Sequence, residues 1–239
     1  MSALPDQAIV LAAGLGKRMR PLTETMPKPL VPVAGKPLID HGLDALVRAG
    51  VSRAVVNVHY RAEQLVEHLA SRNAPDVAVS DERGRLLDSG GGVAKALTLL
   101  NGGPVLIVNS DTLWLDAPGV DTLHDLASRW DPARMDMLIA LTPFDSFVGH
   151  TGRGDFAFTD GSAIERSREG HVYPGIMILD PAILRGDEPE VHSLNLHFDR
   201  AIERGRLHGH LSDALFLTAG TPEAIAEVER AVETRRAAA

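Results

Sequence analysis

The 239-residue sequence contains no cysteine, which excludes disulfide bonds, thiolate metal sites and a cysteine nucleophile. Aromatic residues are scarce, at 4%, so the core must be built mainly from leucine, valine, isoleucine and alanine. No apolar run is long enough to cross a bilayer, and residues 8–13 are too few for the core of a signal peptide. These absences predict a cytoplasmic protein with no membrane partner.

Positive charge is also in short supply, because 24 basic residues face 32 acidic ones and the formal net charge is -8. Proteins that bind duplex nucleic acid or anionic membranes usually carry the opposite sign, so neither partner is expected. Small phosphate compounds can still bind wherever the chain gathers cations locally. The 10 histidines show no spacing typical of a metal site.

Apolar runs and amphipathic stretches alternate in the first half of the chain. Strands are predicted at 8–12, 54–58, 77–80 and 104–109, and helices at 37–49, 62–70 and 93–100. This alternation predicts an α/β fold with a Rossmann-like, mostly parallel central sheet and helices on both faces. Ligands of such sheets bind at the carboxyl ends of strands, which here means Gly14, the region after Ser80, and Asp111.

The second half is less regular. Strands are predicted at 135–141 and 172–179, with one or two more in 207–217, and helices at 196–204 and from 221 to about 235. Neither a linker nor an internal repeat divides the chain. We therefore expect a single domain over residues 1–239, with halves at 1–111 and 112–239, and we leave the oligomeric state open.

A glycine loop, residues 11–19 (LAAGLGKRM), directly follows the first strand. Glycines let backbone approach a ligand and turn free N–H groups to phosphate oxygens, and Lys17 and Arg18 add positive charge there. The dinucleotide fingerprint is excluded because Met19 replaces its third glycine, and the P-loop is excluded by its spacing. The missing P-loop also argues against a kinase. A glycine turn with solvated cations is the alternative interpretation.

Four prolines lie in residues 27–38, PKPLVPVAGKPL. Proline fixes φ and disfavours helix, so we expect this segment to be extended and stiff. Lys28 would then lie on a rigid mount between two prolines, which suits a cation that grips phosphate. The alternative is an ordinary proline-rich connection with an exposed lysine.

Taken together, residues 11–38 resemble the opening of the sugar-1-phosphate nucleotidyltransferases, LAAGxGxRMxPLTxxxPKPLVPVxxxPL. The match includes nearly every fixed position of that pattern. The resemblance implies transfer of a nucleoside monophosphate from a nucleoside triphosphate to a sugar 1-phosphate, with release of pyrophosphate. It also implies a nucleotide-binding half, 1–111, and a sugar-phosphate-binding half, 112–239, into which sugar-binding elements are inserted.

The same resemblance implies roles for single residues. Arg18 and Lys28 would be catalytic, the first holding the departing pyrophosphate and the second lying near the α-phosphate and the attacking sugar phosphate. Asp111 matches the family's strand-end aspartate that binds Mg2+, the implied cofactor. The implied nucleotide-binding residues belong to the glycine loop, a base-recognition loop at 87–92 and a strand end: Leu11, Ala12, Ala13, Gly14, Gly16, Lys17, Ser89, Gly90 and Asn109.

Weaker matches follow in the second half. Residues 150–156, HTGRGDF, resemble a subgroup that acts on N-acetylmuramate 1-phosphate with UTP, and 173–179 resemble a strand of the family's sugar pocket. Arg153, Asp155 and Gly175 are therefore the implied substrate-binding residues. The runner-up is a GTP-dependent enzyme acting on mannose or heptose 1-phosphate.

The sequence departs from the family at Thr218, which stands where a second metal-binding aspartate is usual. Threonine is a weaker Mg2+ ligand than a carboxylate. A non-catalytic relative, which binds nucleotide or sugar phosphate without turnover, is therefore a third interpretation.

Overall fold

The computed structural model describes residues 3–237, so four terminal residues of the predicted domain lie outside it. The strands are β1 (Gln7–Leu11), β2 (Pro32–Val33), β3 (Lys36–Pro37), β4 (Arg53–Val58), β5 (Asp76–Asp81), β6 (Val105–Asn109), β7 (Thr112–Leu115), β8 (Met137–Leu141), β9 (Phe147–Val148), β10 (Phe156–Phe158), β11 (Ile164–Arg166), β12 (Ile176–Leu179), β13 (Leu207–Leu211) and β14 (Leu215–Thr218). The helices are α1 (Leu38–Arg48), α2 (Ala62–Ala70), α3 (Asp88–Leu97), α4 (Thr122–Ser128), α5 (Asn195–Glu203) and α6 (Pro222–Ala237). No helix in this part of the chain combines the length and the apolarity that a membrane span requires.

A seven-stranded sheet in the order β13-β8-β12-β6-β1-β4-β5 forms the centre of the fold. Strands β6, β1, β4 and β5 are parallel neighbours, as are β13 and β8. Only β12 runs antiparallel to both of its neighbours, β6 and β8. The predicted α/β class and mostly parallel sheet are confirmed.

Helices cover both faces of this sheet. Successive residues of a strand point to opposite faces. Val10 therefore belongs to an apolar cluster that includes residues of α1, α2 and α4, whereas Ile9 belongs to a second cluster that includes residues of α3 and α5. Both side chains are fully buried. Since a sheet covered on both sides needs apolar residues at every position, the continuous run in β1 is explained.

Smaller sheets extend the second half. Strands β7, β14 and β9 form a three-stranded sheet, over which α6 packs in a third apolar cluster with Met19 and Leu217. Strands β10 and β11 pair as a separate antiparallel ribbon. The sheet built on β7 was not predicted, and neither was helix α4.

Two local predictions were wrong. Helix α3 was expected from residue 93 but begins at Asp88, so its glycines lie inside the first turns. The proline-rich segment is not extended throughout, because Lys28–Leu30 forms one turn of 3-10 helix. Pro29 is tolerated there because an N–H in the first turn of a helix has no helical acceptor to lose.

Candidate active site

Three adjoining cavities lie at the carboxyl ends of β1 and β6. The glycine-loop cavity, of about 460 Å3, is lined by residues 14–19 and by Lys28. The α3 cavity, of about 260 Å3, is lined by Asn57, Asp88 and Ser89 among others. The α6 cavity measures about 420 Å3 and reaches Thr218 and the start of α6. Asn109 lines all three, so they form one continuous cleft where the sheet topology predicts a ligand site.

The glycine loop is pressed against the lysine-bearing segment. Gly16 has φ +60, and a Cβ there would lie 3.0 Å from both Lys28 Cβ and Thr23 Cγ2. The Thr23 hydroxyl donates to the Gly16 carbonyl at 2.9 Å. Gly16 therefore needs both the left-handed backbone and the missing side chain, which explains a glycine at this position.

The loop's amide groups divide into two sets. Those of Ala12 and Ala13 donate to Asn57 Oδ1, at 2.6 and 3.2 Å. Those of residues 14–16 have no protein acceptor within the described chain, and these residues line the glycine-loop cavity. The second set is therefore free to bind an anion such as phosphate.

Lys28 and Asp111 form an ion pair between Nζ and Oδ2 in the cleft. Their side chains are 13% and 29% exposed, so the pair is partly shielded from water but reachable by a ligand. Lys28 is held by the 3-10 turn, and Asp111 lies two residues after the end of β6. The cleft thus presents a fixed ammonium group beside a hard oxygen donor.

The other wall of the cleft comes from the segment after β14. Antiparallel pairing places Thr218 opposite Thr112, the residue that follows Asp111. The Arg18 guanidinium lies beside Gly220, whose Cβ, if present, would be 3.8 Å from Nη2. Thr218, at the position where the family usually has a second metal-binding carboxylate, therefore lies at the cleft, but it offers a hydroxyl group instead.

The predicted base-recognition loop has two different parts. Ser89 lines the α3 cavity, and its Oγ accepts a hydrogen bond from Leu194 N at 2.9 Å. Gly90 does not line the cleft; instead the amides of Gly90 and Gly91 donate to the His192 carbonyl, at 2.9 and 3.1 Å. This glycine pair fixes the start of α3 against the segment before α5.

The predicted sugar-side residues are not among those that line the cleft. Arg153 is exposed and Asp155 accepts from Tyr173 N at 2.9 Å, and neither is among the lining residues. Gly175, with φ +94, leaves room for Asn109, whose Nδ2 would lie 2.3 Å from an added Cβ. Asp155 and Gly175 therefore support lining residues in this structure.

Aromatic and acidic residues of the α6 cavity were missed in the sequence. The His150 ring stacks on Phe147 with centroids 5.1 Å apart, and both line the cavity with Tyr173. Glu223 and Glu227 project from the first turns of α6. The Thr221-Pro222-Glu223 helix start was visible in the sequence, but not which wall it would form.

A histidine and carboxylate cluster lies away from the cleft, before and within α5. Asp187 Oδ2 accepts from His197 Nε2 at 2.8 Å and also from Arg200, and His192 lies nearby. Burial lowers the pKa of His197, so the ring is neutral near pH 7. Because Arg200 already supplies the positive charge that balances Asp187, we interpret the cluster as a structural ion pair.

The chain is similar in sequence to known proteins along most of its length. A family model described as "Nucleotidyl transferase" matches residues 7–136. The N-acetylmuramate alpha-1-phosphate uridylyltransferase of Caulobacter vibrioides is 41% identical over 232 residues, covering 94% of this chain and 96% of that protein. A protein of the same description from Neisseria meningitidis serogroup B is 33% identical, covering 90% of this chain and 93% of its own.

Solved structures share the fold. The inositol-1-phosphate CTP transferase from T. maritima gives a TM-score of 0.77 at 17% identity, covering 96% of this chain and 98% of that one. At this level of identity the likeness extends to the architecture alone.

Proposed function

We propose that this chain, which belongs to the nucleotidyl transferase family, transfers a uridylyl group from UTP to N-acetylmuramate 1-phosphate. The products would be the nucleotide-sugar and pyrophosphate. The activity named for the 41% identical relative supports the choice of substrates. The observation that carries the reaction class is the Lys28–Asp111 pair, held in a cleft with Arg18 and free loop amides.

The reaction needs positioning and charge neutralisation rather than a nucleophilic side chain. An oxygen of the sugar phosphate attacks the α-phosphorus, and the bond from that phosphorus to the oxygen bridging the β-phosphate breaks. The electron pair leaves with pyrophosphate, so no proton transfer is required. Lys28 would stabilise the charge on the α-phosphoryl group, and Arg18 with the amides of residues 14–16 would hold the departing pyrophosphate.

Asp111 fits a Mg2+ site, because its carboxylate is a hard oxygen ligand at the end of a strand in the cleft. Phosphate oxygens and water would complete the coordination, with the Thr218 hydroxyl on the opposite wall. When bound, Mg2+ would neutralise phosphate charge and lower the barrier to attack. Asp111 Oδ2 also pairs with the Lys28 ammonium, so this carboxylate would position the lysine as well as hold the metal.

Cavity size and lining suggest which substrate lies where. The α3 cavity is small and is bordered in part by residues with small side chains, Ala13, Gly14 and Ser89, which suits a flat base. The α6 cavity is larger and carries aromatic rings and carboxylates, which suits a sugar. We therefore propose that residues 1–111 bind the nucleotide and that 112–239 supply most of the sugar site. Since UTP and sugar phosphates are cytoplasmic metabolites, we place the reaction in the cytoplasm.

The test is pyrophosphate release with Mg2+ across UTP, GTP, CTP and dTTP, each with a panel of sugar 1-phosphates. Release with UTP and N-acetylmuramate 1-phosphate, abolished in Lys28→Ala, is the expected result. Release only with GTP and a mannose or heptose 1-phosphate would overturn the proposed substrates.

Thr218 favours a second candidate, a relative that binds these ligands without turnover. Calorimetry separates the two functions, because this candidate binds nucleotide while pyrophosphate release stays at background for every pair. Recovery of release in Thr218→Asp would then support the non-catalytic interpretation of the native chain.

A further inference from the structure

Glu82 is a buried carboxylate without a cationic partner. It is 1% exposed, and within residues 3–237 no lysine, arginine or histidine side chain forms a hydrogen bond or ion pair with its carboxylate. Oε1 accepts from Asn57 Nδ2 at 2.8 Å, and Oε2 accepts from Leu87 N at 3.0 Å. A buried charge of this kind is costly, so its contacts need a physical reason.

Both ends of this network reach backbone that borders the cleft. Asn57, itself 3% exposed, accepts the amides of Ala12 and Ala13 on Oδ1. At the other end, Leu87 immediately precedes Asp88 and Ser89, which line the α3 cavity. Glu82 and Asn57 therefore connect the glycine loop to the base-recognition loop across the carboxyl ends of β4 and β5.

We propose that Glu82, acting through Asn57, is a positioning residue that holds the two nucleotide-binding loops at a fixed separation. This inference rests on the proposed function, because it assigns the two loops to nucleotide binding. Neither residue touches the substrate's reacting atoms in this role. Their effect is on the geometry of the backbone that does.

The direction of every hydrogen bond in the network is determined. Asn57 Oδ1 receives two backbone N–H groups, so its amide cannot be flipped and Nδ2 must donate. Glu82 must then accept on both oxygens, from Asn57 Nδ2 and from Leu87 N. A glutamine has only one acceptor oxygen and would place its NH2 group against another donor. The network therefore specifies a carboxylate at position 82.

The start of α3 explains how the negative charge is tolerated. The amide of Leu87, the residue immediately before the helix, donates to the carboxylate, and the helix dipole favours an anion at this end. A Cβ on Gly92 would lie 2.8 Å from Asn57 Nδ2 and 3.0 Å from Glu82 Oε1. The glycine lets the carboxylate and amide sit against the helix backbone, where the dipole acts.

A charge-swap experiment tests this inference. Glu82→Gln places an NH2 donor against another N–H donor. Asn57→Asp places a carboxylate against the carboxylate of Glu82. We expect each to weaken UTP binding and raise the KM for UTP by about tenfold, as expected for one lost buried hydrogen bond. The KM for the sugar phosphate and the kcat at saturating UTP should change little.

The double variant Asn57→Asp/Glu82→Gln restores complementarity. The new carboxylate accepts from Ala12, Ala13 and the new amide, whose oxygen still accepts from Leu87 N. We expect UTP affinity and the KM for UTP to return most of the way to native values. A core residue with only a stability role would give no such recovery in KM, and additive losses in the double variant would overturn the inference.

Direct calorimetry of UTP binding without acceptor separates this inference from the proposed function. Native protein that binds UTP but releases no pyrophosphate would contradict the proposed function, while the affinities of the variants still test the network. Active native protein with unchanged UTP affinity in both single variants would contradict the inference alone. Glu63→Gln is the matched control, because Glu63 is an exposed glutamate on α2 that pairs with Arg83, and it should leave UTP affinity unchanged.

Discussion

The variant Gly91→Ala sets two effects on helix α3 against each other. Alanine has a higher helix propensity than glycine, which alone would stabilise the helix by about 1 kcal/mol. However, a Cβ at Gly91 would lie 1.9 Å from the Glu190 carbonyl oxygen and 3.1 Å from Leu87 Cβ. The first distance is far below any van der Waals contact, and the atom in the way is backbone. The segment carrying Glu190 would have to move.

The cost of that movement can be estimated from its contacts. Overpacking costs about 1–3 kcal/mol. Separation of the segment also weakens the hydrogen bonds from the Gly90 and Gly91 amides to the His192 carbonyl, each worth about 0.5–1.5 kcal/mol net. These terms exceed the gain in propensity, so we expect a net destabilisation of about 2–3 kcal/mol. For a chain of this length, that corresponds to a Tm lowered by about 5–10 °C.

Thermal unfolding of Gly91→Ala beside Gly84→Ala is the assay. Gly84 has ordinary φ and no atom within 4 Å of an added Cβ, so its variant should match or slightly exceed native stability. An unchanged or raised Tm in Gly91→Ala would mean that the segment around Glu190 yields freely and that helix propensity dominates. That result would refute the packing argument for the glycines of α3.

Three further predictions concern the cleft. Lys28→Ala should lower kcat by about 100-fold or more with little change in the circular dichroism spectrum. The control Lys36→Ala removes a lysine that pairs with Asp44 and should retain kcat. Equal losses of kcat in both variants would show that Lys28 has no specific role. Gly16→Ala should lower the Tm, because a backbone φ of +60 costs a non-glycine residue about 1–2 kcal/mol and the added Cβ would contact Lys28. An unchanged Tm would show that the loop rearranges without cost. Thr218→Asp should lower the Mg2+ concentration for half-maximal pyrophosphate release, because a carboxylate is the better ligand; an unchanged Mg2+ dependence would place this residue outside any metal site.

Periodicity predicted most of the parallel half of the fold. Helix α2 was predicted with its observed bounds, and β4 within one residue. The start of α3 was missed because a run of glycines has low helix propensity. In the folded chain, close approach of the residue 190–192 backbone selects glycine there, so a tertiary contact overrides the local preference. That contact joins residues about a hundred positions apart, which local patterns do not reveal.

The cleft was predicted where motif and topology agree. The glycine loop, Lys28 and Asp111 were identified by their sequence context, and the structure brings them into one cavity. Asn57 and Glu82 were missed because each is a single polar residue in or beside a buried strand. Such a residue gives no sign of its partners until the neighbouring strands are placed side by side. The signal available was the polar side chain inside the apolar run of β4, since buried polar groups require partners.

The distribution of charge within the cleft accounts for the orientation proposed for the substrates. The glycine-loop cavity is lined by Lys17, Arg18 and Lys28 against one carboxylate, Asp111, although the whole chain carries a net charge of -8. The α6 cavity shares Arg18 and Asp111 but adds the carboxylates of α6. A triphosphate is therefore attracted to the first cavity and repelled from the second, while the hydroxyls of a sugar can donate to those carboxylates. The carboxylate of N-acetylmuramate itself would have to lie away from Glu223 and Glu227. The sugar phosphate group is then drawn to the shared boundary, where Arg18 and the Lys28–Asp111 pair lie and where the proposed transfer requires it.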